Sequence, residues 1–253
     1  MTDLTGRTVL ITGASSGLGR HFAEVCSAAG AAVALAARRT DRLQAAAEAI
    51  GRRGGRACAV PLDVADEAST LAAYDAAEAA LGPIDTVIAN AGMNLEGLAT
   101  DLPVEDFRRI LDVNVTGVFL TAREGARRMI AHGARESGRG RVLLIASIGA
   151  HTVLPGVAAY CASKAAVAML GKSLAREWAN RGVNVNVLCP GYIETDINAD
   201  WFASEGGQRQ IARFPRRRLM ADSDLDGLVL HLCSDASRGI TGSVFTADDG
   251  QSL

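Results

Sequence analysis

Short runs of consecutive apolar residues alternate along this chain with longer stretches whose apolar positions recur every three or four residues. RTVLITG (7–13) reads as a buried strand. GLGRHFAEVCSAAG (17–30) follows as an amphipathic helix ended by Gly30. AAVALAAR (31–38) predicts a second strand, and TDRLQAAAEAIGRRGG (40–55) a helix capped by Thr40 or Asp41 and stopped by glycines. RACAVPLDV (56–64) is a third strand, the stretch 66–82 a helix capped from Asp66, and IDTVIANAG (84–92) a fourth strand. A long helical region is expected over about 103–132. GRVLLIAS (140–147) then reads as a strand, 157–182 as a helix and VNVNVLCPG (183–191) as a strand. A helix near 223–233 and the strand SVFTADDG (243–250) close the chain.

The strands are apolar along most of their length, as strands covered on both faces must be. With helices alternating between them, the pattern predicts an α/β fold: one parallel sheet sandwiched by helices. No repeat, linker or low-complexity boundary interrupts residues 1–253, so a single domain is expected. Hydrophobic residues make up 49% and aromatics only 4%. So many small side chains suit close packing of helices on a sheet. Formal net charge is −2 with dispersed basic residues, which argues against nucleic-acid binding. The one dense basic run, Arg216-Arg217-Arg218, falls in an expected loop as a solvated or interface segment.

The N-terminal MTDLTGRTVLITG lacks the shape of a signal peptide, and no apolar run approaches the ~20 residues of a membrane span. Five scattered cysteines (26, 58, 161, 189, 233) without a CxxC fit reduced thiols in a cytoplasmic protein. The four histidines form no metal-ligand spacing, so no metal is expected.

The first strand empties into TGASSGLGR (12–20), with Gly13, Gly17 and Gly19 at the start of the first helix. Such glycines permit a tight turn and bring the backbone, with its helix-terminal amides, close to a pyrophosphate. The same pattern also suits a tight turn without ligand. Ser15 and Ser16 add hydroxyls there. After the second strand stand Ala36 and Ala37, then Arg38 and Arg39. A carboxylate at that position would serve the ribose 2′-hydroxyl of NAD(H), whereas guanidinium groups favour the 2′-phosphate of NADP(H). NADP(H) is therefore preferred, with NAD(H) as the alternative. Both arginines could equally be surface residues opening the next helix.

Tyr160 and Lys164 in YCASK are four residues apart, which on a helix sets them on one face, roughly 6 Å apart along the axis. A phenol beside an ammonium can be an ordinary amphipathic pair or a proton donor with its tuner. Moving a tyrosine from about 10 to ~7 takes roughly 4 kcal/mol of preference for the anion; a neighbouring ammonium can contribute part of it and the positive ring of an oxidised nicotinamide another part. Ser147 closes the fifth strand at the carboxyl edge of the sheet, where it could polarise a carbonyl or simply cap the strand.

In order along the chain, TGASSGLG, NAG (90–92), Asn114 in DVNVTG, Ser147 in LLIASIG, YCASK, and Pro190-Gly191 with Thr195 resemble the short-chain dehydrogenase/reductase family, in its short single-domain branch. The resemblance spans almost the whole chain. It implies a Rossmann-type, doubly wound sheet of seven parallel strands with helices on both faces, and nicotinamide-dependent chemistry between a carbonyl and an alcohol. It also implies that Asp63 contacts the adenine, with Val64 beside it, that Leu18 belongs to the phosphate turn, and that Asn90, Ala91 and Gly92 line the cofactor channel. Pro190, Gly191, Ile193 and Thr195 would hold the nicotinamide end. Tyr160 would be the acid, Lys164 would also grip the nicotinamide ribose, and Asn114 would hold a water linking Lys164 to solvent. Assembly as a homotetramer through the long helices is implied as well. The chain departs in having Ala89 where many members carry asparagine, and no basic residue in the glycine turn.

The segment after PGYIETD concentrates Tyr192, Trp201, Phe202 and Phe214, either as an apolar lid over the substrate or as ordinary core. Met93, Leu95, Val153 and Leu154 are candidates for the facing wall, with His151 nearby. Cys161 is expected to be a packed thiol. No Arg or Lys is placed to clamp a substrate anion, so an uncharged, fairly hydrophobic ketone or secondary alcohol is expected. The alternatives are a 3-oxoacyl thioester or sugar-type specificity, an epimerase or dehydratase, and a catalytically idle nucleotide-binding sensor or scaffold.

Overall fold

A computed structural model describes residues 2–194 and 198–253. In chain order its elements are β1 (Thr8–Thr12), α1 (Gly17–Ala28), β2 (Ala32–Ala37), α2 (Thr40–Arg52), β3 (Ala57–Pro61), α3 (Glu67–Leu81), β4 (Thr86–Ala89), α4 (Val104–Leu111) and α5 (Gly117–Ala131). They continue with α6 (Ala134–Ser137), β5 (Gly140–Ile145), α7 (Ala158–Trp178), β6 (Val183–Pro190), α8 (Ala199–Ala203), α9 (Glu205–Ile211), α10 (Asp226–Cys233) and β7 (Val244–Ala247).

The seven strands form one sheet in the order β3-β2-β1-β4-β5-β6-β7, parallel throughout. The chain winds outward to β3, then returns to lay β4 against the other side of β1. The strand order therefore reverses between β1 and β4, and the crevice beyond their carboxyl ends is where such sheets bind ligands.

Alternation within each strand feeds two cores. Leu10, Val142, Leu144 and Val187 face one layer with Tyr74 of α3, Val118 and Ala122 of α5, and Val167 of α7. Val9, Ile11, Leu143, Ile145 and Leu188 face the other, with Phe22 of α1, Leu43 of α2 and Val229 of α10. Because both faces are covered, the strands read as unbroken apolar runs. Small residues let the helices approach closely. A Cβ on Gly125 would stand 2.7 Å from both the Tyr74 hydroxyl and Val87, and one on Gly171 would collide with Val187.

The helical region expected over about 103–132 is present: α4 and α5 run on through a π-helical turn, Asp112–Thr116, which contains Asn114. Two local expectations change. Neither Thr40 nor Asp41 caps α2. Arg39 occupies the cap position and makes no side-chain cap bond, because a guanidinium has no acceptor to offer the first-turn amides. The final strand is shorter than 243–250 and only half-buried, as befits a sheet edge. The Asp66 cap of α3 is present, its carboxylate accepting from the Ala68 amide at 2.9 Å. Among the described residues no helix is long and apolar enough to cross a membrane.

Candidate active site

The glycine turn after β1 is tied to the end of β4. The Thr12 hydroxyl accepts from the amides of Asn90 (3.1 Å) and Ala91 (3.0 Å), and the Asn90 side-chain amide donates to the Thr12 carbonyl at 3.0 Å. Gly13 (φ +70°) and Gly19 sit hard against this junction, where a Cβ would stand 2.9 Å and 2.6 Å from Asn90 Nδ2. Gly17 (φ +51°) is different: a Cβ there would meet nothing within 4 Å. It leaves open space in front of α1, whose cap residue Ser16 makes no side-chain bond to the first-turn amides. Those amides and that space fit a pyrophosphate. Leu18 is half-buried and packs on the core beneath α1.

Arg39 folds back over the same turn. Its Nη2 donates to Ser15 Oγ (2.9 Å) and Ser16 Oγ (2.7 Å), with Nε 3.2 Å from Ser15 Oγ. A guanidinium reaching in from β2 thus supplies the cation that the turn itself lacks. Arg38 beside it is exposed. Asp63 is exposed at the end of β3, with Oδ1 accepting from the Ala65 amide at 3.1 Å, and Val64 is buried against Gly117.

The acid–base candidates converge beyond β5. Ser147 follows that strand, and its Oγ accepts from the Gly149 amide at 3.1 Å, leaving the hydroxyl hydrogen to donate. It acts on the Tyr160 oxygen, pulling the phenol's pKa down, but burial is the larger effect and leaves Tyr160 raised above its ordinary value. Lys164, one turn along α7, is 4% exposed and donates to the Ile145 carbonyl at 2.9 Å. Burial lowers it to about 8. Its Nζ lies 5.6 Å from the Tyr160 ring centroid. In the protein alone desolvation outweighs the pull of Ser147, and Tyr160 is held as the neutral, proton-carrying form.

Asn114 is fully buried and clamps the segment after β4. Its Oδ1 accepts from the Met93 amide at 2.8 Å, while Nδ2 donates to the Met93 carbonyl (2.9 Å) and to Ser163 Oγ (3.0 Å). A Cβ on Gly92 would lie 3.4 Å from both Asn114 Oδ1 and Lys164 Nζ, so these three residues share one space. The π turn presents Asn114 at this point, a common use of such turns near functional sites.

On the opposite side Pro190 ends β6, and Gly191 donates to the Ala247 carbonyl at 3.1 Å. Gln251, near the chain end, accepts from the Tyr192 amide at 2.6 Å and donates to its carbonyl at 3.3 Å. Ile193 is buried and bridges to Met220. Thr195 lies outside the described residues. A cavity of about 580 Å³ opens beside α7, lined by Leu98, Val153, Leu154, Pro155 and Cys161, with His151 and Thr152 as its polar side chains. Val153 and Leu154 line this cavity as Leu98 does, whereas Met93 and Leu95 do not, and Cys161 is a wall residue rather than a fully packed thiol. Of the expected lid, Phe202 and Phe214 are buried and Trp201 is exposed.

Thr12, Ser163 and Gln251 were not anticipated. Thr12 alone carried a local signal, as the strand-end residue before a glycine turn. The other two act through contacts distant in sequence. Among the described residues no three His, Cys, Asp or Glu side chains gather to hold a metal.

The short chain dehydrogenase family model matches residues 7–206. The 3β-hydroxysteroid dehydrogenase 1 of Eggerthella lenta is 36% identical, covering 99% of this chain and 95% of the relative. A short-chain type dehydrogenase/reductase from Mycobacterium marinum superimposes with a TM-score of 0.92 at 39% identity, covering 100% of this chain and 98% of that one. A gluconate 5-dehydrogenase from Burkholderia cenocepacia, solved in complex with NADP and tartrate, does so with a TM-score of 0.93 at 33% identity, covering 99% and 96%.

Proposed function

Since the chain belongs to the short-chain dehydrogenase family, whose members are oxidoreductases acting on CH–OH groups, we propose that it reduces a neutral ketone, or oxidises the matching secondary alcohol, with NADP(H). The observation that carries this reading is the meeting of Ser147, Tyr160 and Lys164 at the sheet edge, beside a glycine turn with open space before a helix N-terminus.

The residues present fit a nicotinamide dinucleotide. Gly13, Gly17, Leu18 and Gly19 would receive its pyrophosphate, and Asp63 and Val64 its adenine. Asn90, Ala91 and Gly92 would line its path, and Pro190, Gly191, Ile193 and Thr195 its nicotinamide end. When bound, the nicotinamide supplies or accepts the hydride. Tyr160 gives its phenolic proton to the carbonyl oxygen in reduction and recovers one from solvent afterwards. Ser147 donates its hydroxyl hydrogen to the same oxygen and fixes its position. Lys164, charged at neutral pH, stabilises the phenolate left behind and holds the nicotinamide ribose. Asn114 keeps the Met93 segment in place and links Lys164 to solvent through a water. A panel of ketones and secondary alcohols tests the reading. NADPH consumption with at least one neutral ketone is expected, and no turnover with either cofactor across the panel would contradict it.

NADP(H) is preferred over NAD(H) because Arg39 and the hydroxyls of Ser15 and Ser16 already form a cluster of donors, with Arg38 exposed beside it. Charge-assisted bonds to a phosphate are worth about 1.5–3 kcal/mol, or roughly 10–100-fold in affinity. Arg39→Ala is therefore expected to weaken NADPH by about that factor and NADH by less than threefold, with Arg38→Ala weaker in the same direction. Dissociation constants from cofactor fluorescence give the check, and equal losses for both cofactors would defeat the assignment.

The apolar lining of the cavity, with no Lys or Arg in it, supports an uncharged substrate with a hydrophobic body. We also propose assembly as a homotetramer through the faces of α4, α5 and α7. Val104, Phe107 and Met169 are exposed there, which a partner copy would cover. Light scattering on the purified protein should give about four times the chain mass.

A further inference from the structure

β6 delivers Pro190, Gly191 and Tyr192 to the carboxyl edge of the sheet, and the segment after β7 comes back to hold them. The Gly191 amide donates to the Ala247 carbonyl at 3.1 Å. Gln251 lies against the same residue: a Cβ on Gly191 would stand 2.4 Å from Gln251 Oε1 and 2.8 Å from Asp248 Cα. The absence of a side chain at 191 is what permits this approach. The next amide, that of Tyr192, donates to Gln251 Oε1 at 2.6 Å, and Gln251 Nε2 donates back to the Tyr192 carbonyl at 3.3 Å. One side-chain amide thus satisfies both backbone groups of a residue that has left the sheet.

Gln251 also reaches the far end of the excursion that carries α8 and α9. Its Nε2 donates to the Arg218 carbonyl at 3.4 Å. The Met220 amide donates to the Tyr192 carbonyl at 3.0 Å, and Ile193 and Met220 pair as a short parallel bridge. Residues entering the excursion and residues leaving it therefore meet at Gln251. Two positions earlier, Asp249 pairs with Arg216 Nε at 2.8 Å and with Arg218 Nε at 2.9 Å, and Arg218 pairs in turn with Asp224 at 2.9 Å. Arg217, between the two arginines, has φ +51° and Asp249 has φ +55°; no other non-glycine residue among those described has a positive φ. Backbone in that region costs energy and persists where its surroundings over-determine it, as at ligand clamps.

We propose that Gln251 is a positioning residue for the nicotinamide. By fixing the backbone of Gly191 and Tyr192 it sets the surface that holds the nicotinamide half of the cofactor, and it ties that surface to the root of α8 and α9. None of its bonds goes to the glycine turn, Arg39 or Asp63, where the adenosine half would lie. Its loss should loosen one half of the dinucleotide and spare the other. This rests on the reading of Pro190, Gly191 and Ile193 as the nicotinamide end.

The test titrates the full chain calorimetrically with the dinucleotide that the wild type binds more tightly, NADPH or NADH. It compares this with the matching adenosine half, adenosine 2′,5′-bisphosphate or AMP. Gln251→Met keeps the side-chain length and removes both bonds to Tyr192, whereas Gln251→Glu keeps an oxygen to accept from the Tyr192 amide. The methionine variant is expected to weaken the dinucleotide at least fivefold and the adenosine half less than twofold. The glutamate variant should stay within about threefold of wild type for the dinucleotide. In turnover, Gln251→Met should lower kcat about tenfold or more, as a misplaced reacting ring does, with KM for the ketone within twofold. Unchanged dinucleotide affinity in Gln251→Met, equal losses for the dinucleotide and its adenosine half, or a glutamate variant as weak as the methionine one would overturn the assignment. A wild type that binds the dinucleotide but turns over no ketone would count against the ketone reading and leave the binding comparison to decide. A wild type that binds no dinucleotide would overturn both.

Discussion

Tyr160→Phe is expected to reduce kcat at least ~10³-fold while changing the dissociation constant of NADPH less than threefold. The size follows from what is removed. A positioned general acid contributes about 10²–10⁴-fold, and Ser147 interacts directly with the Tyr160 phenol. The phenol is neutral in the protein alone because burial outweighs the pull of Ser147, so reduction begins with the proton already in place. Phenylalanine keeps the ring and its packing on α7 and deletes only the transferable hydrogen. Stopped-flow hydride transfer and cofactor fluorescence, measured on the same preparation, separate the two effects. Retained turnover would remove Tyr160 as the acid, whereas parallel loss of cofactor binding would point to a disturbed fold.

Lys164→Met is expected to do two opposite things: abolish turnover, and raise the melting temperature of the cofactor-free protein at neutral pH by about 4–8 °C. Lys164 is buried, and its pKa falls from 10.5 to about 8. At 1.36 kcal/mol per pH unit, that gap makes the ammonium cost the folded state about 3 kcal/mol. Loss of its bond to the Ile145 carbonyl returns about 1 kcal/mol. The remaining ~2 kcal/mol gives the stated shift for a chain of this length. The sign follows from proton counting. Between about pH 8 and 10.5 the unfolded chain binds the lysine proton and the folded chain does not, so wild-type stability rises with pH across that window. The advantage of the methionine variant should be complete below about pH 8 and gone near 10.5. Calorimetry across that range provides the check, and a lower melting temperature at pH 7 would show that Lys164 stabilises the fold instead. A residue that costs stability where it lies is one that function retains.

Much of this architecture was legible in the residues because both faces of the sheet are covered. Unbroken runs such as VLIT and VLLI permit little else, and the glycines at 13, 17 and 19 mark the turn through backbone demands that only glycine meets cheaply. The positions of Tyr160 and Lys164 followed from helical spacing alone. What stayed hidden depended on long side chains or distant partners. Arg38 and Arg39 are equivalent as letters, yet only Arg39 folds onto Ser15 and Ser16. The π turn at Asp112–Thr116 has no sequence signature. It accompanies the clamp of Asn114 on Met93, 21 residues away. Gln251 fixes Tyr192 across 59 residues. The neutral state of Tyr160 in the protein alone also stayed hidden, because spacing reveals a neighbouring ammonium but not the burial that raises the phenol.

The most direct measurement is a crystal structure of the protein with NADP and a bound alcohol. The Tyr160 and Ser147 hydroxyls should both lie within hydrogen-bond reach of the same alcohol oxygen, with the glycine turn against the pyrophosphate. A Tyr160 hydroxyl turned away from the alcohol, or a glycine turn contacting no phosphate, would contradict the account.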